Sequence, residues 1–151
     1  MKITVASDHA GFKFKSKLIP FLEKAGYEVY DFGCNSEESC DYPDYGIPAA
    51  KSLPAGNCDR VILICSNGIG MSMLANKIRG IVAALAYNLK TAKTTRKHHN
   101  SNTLCLGAKE NSHGLLLKMV EAWLTTDFEG GRHERRINKV RALDNRQAVE
   151  A

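Results

Sequence analysis

The chain has 151 residues, a mass of 16.6 kDa, 44% hydrophobic and 25% charged residues, and a net charge of +5. That balance is globular, of about one domain, and excludes a disordered, collagen-like or coiled-coil polypeptide. No apolar run approaches the roughly 20 residues of a membrane span, and Met1–Ala6 is too short an apolar stretch for a signal-peptide core. The five cysteines (34, 40, 58, 65 and 105) are odd in number and include no Cys-x-x-Cys pair. This argues against a disulfide framework or a zinc knuckle and for a reduced, cytoplasmic setting.

Apolar β-type runs alternate with helical patterns along the chain. Lys2–Ser7 reads as a strand. Gly11–Ala25 reads as a helix, with Phe14, Leu18, Phe21, Leu22 and Ala25 at helical spacing and Gly26 as its stop. Pro20 inside it predicts a kink or a late start. Tyr27–Phe32 is the second strand, Gly33–Tyr45 a polar loop, and a helix follows to Leu53. Arg60–Cys65 is nearly all apolar and β-branched, as a strand buried on both faces should be. Ser66–Gly70 is a turn, Met71–Ile78 a short helix, Ile81–Ala86 a strand, Leu89–Lys97 a helix and Thr103–Gly107 the last strand. Glu110–Leu124 is an amphipathic helix, Gly130-Gly131 a break, and a charged helix is predicted to run to Val149.

This alternation predicts an α/β fold. The expected form is a three-layer αβα, Rossmann-like single domain over residues 1–151, with a five-stranded parallel sheet and an extended C-terminal helix. Ligands of such sheets lie beyond the carboxyl ends of strands. Ser7–Gly11, Cys65–Gly70 and the stretch Asn100–Asn102 are the places so indicated.

Four groups of residues have chemistry to offer. Asp8 and His9 follow the first strand, where a carboxylate and an imidazole can bind hydroxyls or an anion. Cys65 closes the third strand. Ser66, Asn67, Gly68, Ile69 and Gly70 then turn into a helix whose first N–H groups can form an anion-binding nest. A thiol at such a turn suits proton abstraction beside a carbonyl, with the turn holding the oxyanion, or phosphoryl transfer to sulfur. Phosphatase chemistry is set aside, because Met71 stands where its Arg is required. His98 and His99 offer a general acid or base. Arg132 and Arg136, at i and i+4, share a helix face and can fork a phosphate. Cys34, Cys40, Cys58 and Cys105 read as structural or incidental, and Trp123 as core or interface.

Together these pieces resemble the type B ribose-5-phosphate isomerases and their allose-6-phosphate and galactose-6-phosphate relatives. The resemblance runs from Ser7-Asp8-His9-Ala10-Gly11, through Asp41-Tyr42-Pro43, the Cys65 turn with Ala75-Asn76-Lys77, and His98 with Asn102, to Gly130-Gly131-Arg132-His133. It implies interconversion of ribose 5-phosphate and ribulose 5-phosphate, part of the pentose phosphate pathway, without metal or other cofactor. Cys65 would move a proton between C1 and C2 through a cis-enediolate, and Ser66 to Gly70 would supply donors to that enediolate. His98 would open the furanose ring. Asp8 would bind sugar oxygens; His9, Arg132 and Arg136 the phosphate. Tyr42, His99 and Lys109 would also contact substrate. It further implies a homodimer, or a dimer of dimers, with sites at the subunit interface and Arg132 and Arg136 reaching a neighbour's site.

Two positions depart from the family pattern. Ser66-Asn67 replaces Gly-Thr, and an amide can hydrogen-bond a ring oxygen but cannot relay a proton as a hydroxyl can. His99 replaces Asn.

Two rival functions fit parts of the sequence. A phosphocysteine carrier of the sugar phosphotransferase type would use Cys65 alone. A nucleic-acid binder would use the acid-free stretch with Lys90, Lys93, Arg96, Lys97 and Lys109, but aromatic stacking residues and binding motifs are missing there. The basic stretch is better read as attraction for a dianionic metabolite. No nucleic-acid or membrane partner is therefore expected.

Overall fold

The computed structural model describes residues 1–145. Five strands form one parallel sheet: β1 (Lys2–Ser7), β2 (Glu28–Asp31), β3 (Arg60–Cys65), β4 (Ala83–Leu85) and β5 (Thr103–Gly107). Their spatial order is β2-β1-β3-β5-β4. Six α-helices connect or follow them: α1 (Phe12–Lys24), α2 (Tyr42–Lys51), α3 (Ile69–Asn76), α4 (Leu89–His99), α5 (His113–Thr125) and α6 (Arg132–Arg141).

The pleat sorts the core into two layers, because successive side chains of a strand face opposite sides. Ile62 and Ile64 of β3 join Leu104 and Leu106 of β5 against Phe14, Leu18 and Leu22 of α1 and Leu116, Met119 and Trp123 of α5. The alternate residues Val61, Leu63 and Cys65 join Cys105 against Ala49 and Ala50 of α2 and Met71 and Ala75 of α3. Trp123 is therefore core; its Nε1 donates to Ser101 Oγ at 2.9 Å. The three expected layers are present.

Most element boundaries fall within a residue or two of the sequence reading, with four informative differences. α2 begins at Tyr42, inside the stretch read as a loop, because Asp41 is extended at its N-cap and Pro43 is tolerated in the first turn, where no N–H is needed. α1 continues through Pro20, which lies on the exposed side, where water can satisfy the carbonyl that the missing N–H leaves free. α5 begins at His113, because the Ser112 side chain caps it by accepting from Leu115 N–H. α6 ends at Arg141, and after a turn at Ala142 residues 143–145 are helical again; the stretch of the expected helix from 146 to Val149 lies outside the described residues.

Strand order fixes where a ligand can sit. From β1 the chain crosses to one side, to β2; from β3 it crosses to the other, towards β4 and β5. The helices therefore diverge at the carboxyl ends of β1 and β3 and leave a crevice there.

One surface contact carries a pH dependence. Lys17 Nζ donates to His113 Nδ1 at 2.9 Å, and the His113 ring lies 5.4 Å from that of Phe14. Burial, then the charges of Lys17 and Lys13, hold His113 below its ordinary pKa of 6.5. The folded chain thus takes up this proton less readily than the unfolded one. The contribution is complete above pH 6.5 and is lost as the pH falls below it. Urea midpoints should fall between pH 7.5 and 5.5, and His113→Gln should flatten that fall; an unchanged slope would contradict the assignment.

Candidate active site

β1 and β3 are neighbours, with Ser7 opposite Ile64. Their two chain exits therefore lie side by side. Asp8 N–H donates to Ile64 O at 3.2 Å, and the buried Asp8 carboxylate accepts from Gly11 N–H at 3.2 Å. His9 is half-buried beside it, its Nδ1 accepting from Cys40 N–H at 3.2 Å. Burial pushes the Cys40 thiol up, so Cys40 stays a protonated neighbour of His9.

Cys65 ends β3 on the face covered by α2 and α3, and is 4% exposed. Its Sγ accepts from Gly68 N–H at 3.2 Å, so the turn holds the sulfur in place. Gly68 adopts φ 79°, the left-handed conformation that turns the chain straight into α3. Asn67 Oδ1 accepts from Ile69 N–H at 3.1 Å, so the residue that departs from the family's Thr here braces the turn. Among the described residues, Gly70 N–H is left without an internal partner at the start of α3. It is a free donor for an oxyanion.

The end of β5 forms the floor beneath this turn. Ala108 N–H donates to Cys65 O at 2.9 Å and Lys109 N–H to Ser66 O at 3.1 Å, which brings exposed Lys109 beside the turn. The Tyr42 ring, at the start of α2, lies against Gly70. Asp8, His9, Tyr42, Cys65, Ser66–Gly70 and Lys109 thus gather at one end of the sheet. Cys105, one strand over, is fully buried, and burial drives its thiol far above the ordinary range. It can serve as neither base nor nucleophile.

His98, His99, Arg132 and Arg136 gather elsewhere. The sequence reading places Asn100–Asn102 with the strand carboxyl ends; the structure places it at the amino ends. α4 runs back antiparallel to the strands, and Asn102 leads into β5. Its carbonyl accepts from Val61 N–H, at the start of β3, and its side chain holds Gly80 O and Val82 N–H ahead of β4. His98 and His99 lie not in a loop but in the last turn of α4, which closes at Asn100 with φ 50°. α6 packs on α4, and His98, His99, Arg132 and Arg136 line one cavity of about 370 Å³ with His133, Ile137 and Val140. Burial, then His98, lowers the His99 pKa, so its neutral form prevails at neutral pH.

Within one chain the two groups are separated by the depth of the sheet. That is about 16 Å for the five residues of β5 at roughly 3.3 Å each.

The structure also corrects the reading of the basic stretch. Arg96 turns inward, its Nη1 donating to Ser101 O at 2.5 Å. Burial, then the charge of Arg60, lowers its pKa to about 10, which leaves it a cation that braces the fold. Two side chains of the second group went unassigned in the sequence. His133 is buried and stacks on His98, ring centroids 4.0 Å apart and 8° from parallel, and Glu129 Oε2 lies 3.4 Å from His133 Nε2. The i,i+4 spacing of Glu129 and His133 was visible, but their approach to His98 is tertiary.

The fold and these two groups define a class: a doubly wound α/β protein with a thiol and a glycine turn at its switch crevice and an imidazole–guanidinium cluster at the opposite end. The chain belongs to the Ribose/Galactose Isomerase family, which matches residues 3–140. It is 37% identical to ribose-5-phosphate isomerase B of Escherichia coli, with 97% of this chain and 98% of that protein aligned. Its fold matches ribose-5-phosphate isomerase B of Clostridium thermocellum with a TM-score of 0.94 at 43% identity, covering 97% of this chain and 99% of the other. It matches the Mycoplasma genitalium enzyme, solved with bound ribulose-5-phosphate, at 0.91 and 38%, covering 95% and 96%.

Gly107 provides a test of the floor. A Cβ there would lie 2.7 Å from Asn67 Cα and 2.8 Å from its carbonyl carbon, against backbone that has nowhere to go. Gly107→Ala should destabilise the protein by about 1–3 kcal/mol in urea unfolding. A neutral effect would show that the turn does not rest on β5.

Proposed function

We propose that the chain acts, as one sugar-phosphate isomerase domain, to interconvert ribose 5-phosphate and ribulose 5-phosphate in a site shared by two copies. The observation that carries this reading is the Cys65 turn: a sulfur at a strand end next to the Asp8 loop, one N–H on the sulfur and a further N–H, of Gly70, still free.

In this reading His98 takes the proton of the anomeric hydroxyl and hands it to the ring oxygen, and the furanose opens to the aldehyde. The Cys65 thiolate then removes the proton from C2, and charge moves to O1 as a cis-enediolate. Gly70 N–H and its neighbours in the turn hold that oxygen without reorganising. The O2 hydroxyl proton then passes to O1 as the thiol returns its proton to C1, giving the ketose, so no atom is gained or lost. Asp8 and Tyr42 contact sugar hydroxyls, and Lys109 and His99 line the approach. His9, Arg132 and Arg136 hold the phosphate, whose remote binding positions the reacting carbons.

Two features support a second copy of the chain. Cys65 and His98 lie at opposite ends of one sheet, beyond the reach of a single pentose phosphate. Tyr42, Ile47, Ile69 and Met73 expose apolar surface on α2 and α3 around the crevice, which suits a dimer face. The five thiols are unpaired, in keeping with a cytoplasmic setting. Burial of Cys65 counts against the phosphocysteine carrier, whose sulfur must meet a partner protein. No helix among the described residues is long and apolar enough to cross a membrane.

Purified protein in EDTA should convert ribose 5-phosphate to ribulose 5-phosphate faster than allose or galactose 6-phosphate. Cys65→Ala should lower kcat by about 10²–10⁴-fold with an unchanged circular dichroism spectrum. Full activity in that variant would overturn the assigned base, and a preference for a hexose phosphate the assigned substrate.

A further inference from the structure

The reaction proposed above uses His98 and the two arginines and leaves Glu129 and His133 without a task. The Nε2 of His133 is buried and has no hydrogen-bond partner. Glu129 Oε2 is 3.4 Å away, close enough to attract but not aligned as an acceptor. An orphaned polar atom of this kind costs free energy unless something else occupies the position. One ligand-type atom from each of His98, Glu129 and His133 lies within 4.8 Å of the other two. They come from two parts of the chain, His98 from the end of α4 and Glu129 and His133 from the entry to α6, and the contact is braced, since Glu129 N–H donates to Lys97 O at 3.1 Å on the very turn that carries His98.

We propose that His98, Glu129 and His133 form a binding site for a borderline transition-metal dication, zinc best of all, and that occupancy inhibits the enzyme. Two imidazoles and a carboxylate with an open fourth position are a zinc donor set. Tetrahedral bonds of about 2.0–2.1 Å place ligand atoms roughly 3.3 Å apart. The Glu129–His133 pair already meets that spacing. The nitrogen of His98 has to close by no more than about 1.5 Å. Its ring must also rotate, because the lone pairs of parallel rings do not converge.

Glu129 is exposed, so an ion has a way in. Magnesium and calcium are disfavoured, since they seek six or more oxygen ligands. Arg132 and Arg136 line the same cavity and oppose a dication, which sets the affinity near micromolar rather than at that of a structural zinc. Inhibition rests on the role given to His98: a nitrogen bonded to metal cannot take the anomeric proton.

The test uses the full chain, stripped with EDTA and dialysed, with zinc measured by competition against a chromophoric chelator and cobalt by visible absorption. One ion per chain should bind near micromolar, and cobalt should show tetrahedral bands. Glu129→Gln and His133→Asn should each weaken binding about tenfold or more. Zinc should inhibit the wild type over the same range, reversibly with EDTA. Glu129→Gln should keep its basal turnover and lose the inhibition. Binding that both variants leave intact, binding that Cys65→Ala abolishes, or no binding at millimolar zinc would overturn the site. Binding without inhibition would overturn the inhibitory claim alone. The binding readout holds even if ribose 5-phosphate proves not to be the substrate.

Discussion

Every strand of the sheet runs the same way, so the molecule has two unlike ends. At the carboxyl ends of β1 and β3 the helices part and leave a crevice. At the amino ends, helices return and are tied down by side chains such as Asn102, Arg96 and Trp123. The pleat adds a second constraint. It sends Cys65 towards α2 and α3 and leaves Ile64 to fill the opposite core. Thiol, carboxylate and glycine turn are therefore placed by backbone geometry at one end of the sheet. The same polarity carries His98, the last turn of α4 and the arginines of α6 to the far end. The proposed chemistry needs both ends at once, and a parallel sheet cannot bend them together, so the reading requires two copies.

Charge plays a smaller part than the composition implies. The net +5 invites a broad basic surface, yet Arg96 and Arg60 spend their charge inside, on Ser101 O and Trp123 O. Lys15 is buried against Asp31 at 2.7 Å and ties α1 to the end of β2. What remains for a ligand is local: Lys109 beside the thiol turn, and Arg132 with Arg136 over His98. Two guanidiniums on one helix face suit one small phosphate better than a polymer.

Much of this was legible in the sequence, for identifiable reasons. Arg60–Cys65 and Thr103–Gly107 were readable to the residue, because strands buried on both faces are continuous apolar runs bounded by turn residues. The Cys65 turn was legible because its glycines are demanded by local backbone geometry. The position of Asn100–Asn102 differs from the expected one. A stretch between a helix and a strand precedes that strand, so it lies at the amino end, and polarity along the chain, not composition, decides this. His133 and Glu129 carry no local signal of the cluster, because their partner, His98, is some 30 residues away in sequence and meets them only when α6 packs on α4. Arg96 read as surface because nothing local shows that Ser101 turns its carbonyl back towards it.

Subunit complementation tests the central claim most directly. Cys65→Ala and His98→Asn would each be purified as inactive protein, mixed in equal amounts, dissociated and allowed to reassociate. If each site takes its thiol from one copy and its imidazole from another, half of the dimers carry one intact site. Activity should then return to about a quarter of the wild-type value. A mixture that reassociates fully and stays inactive would place both residues in one chain's site and contradict the account.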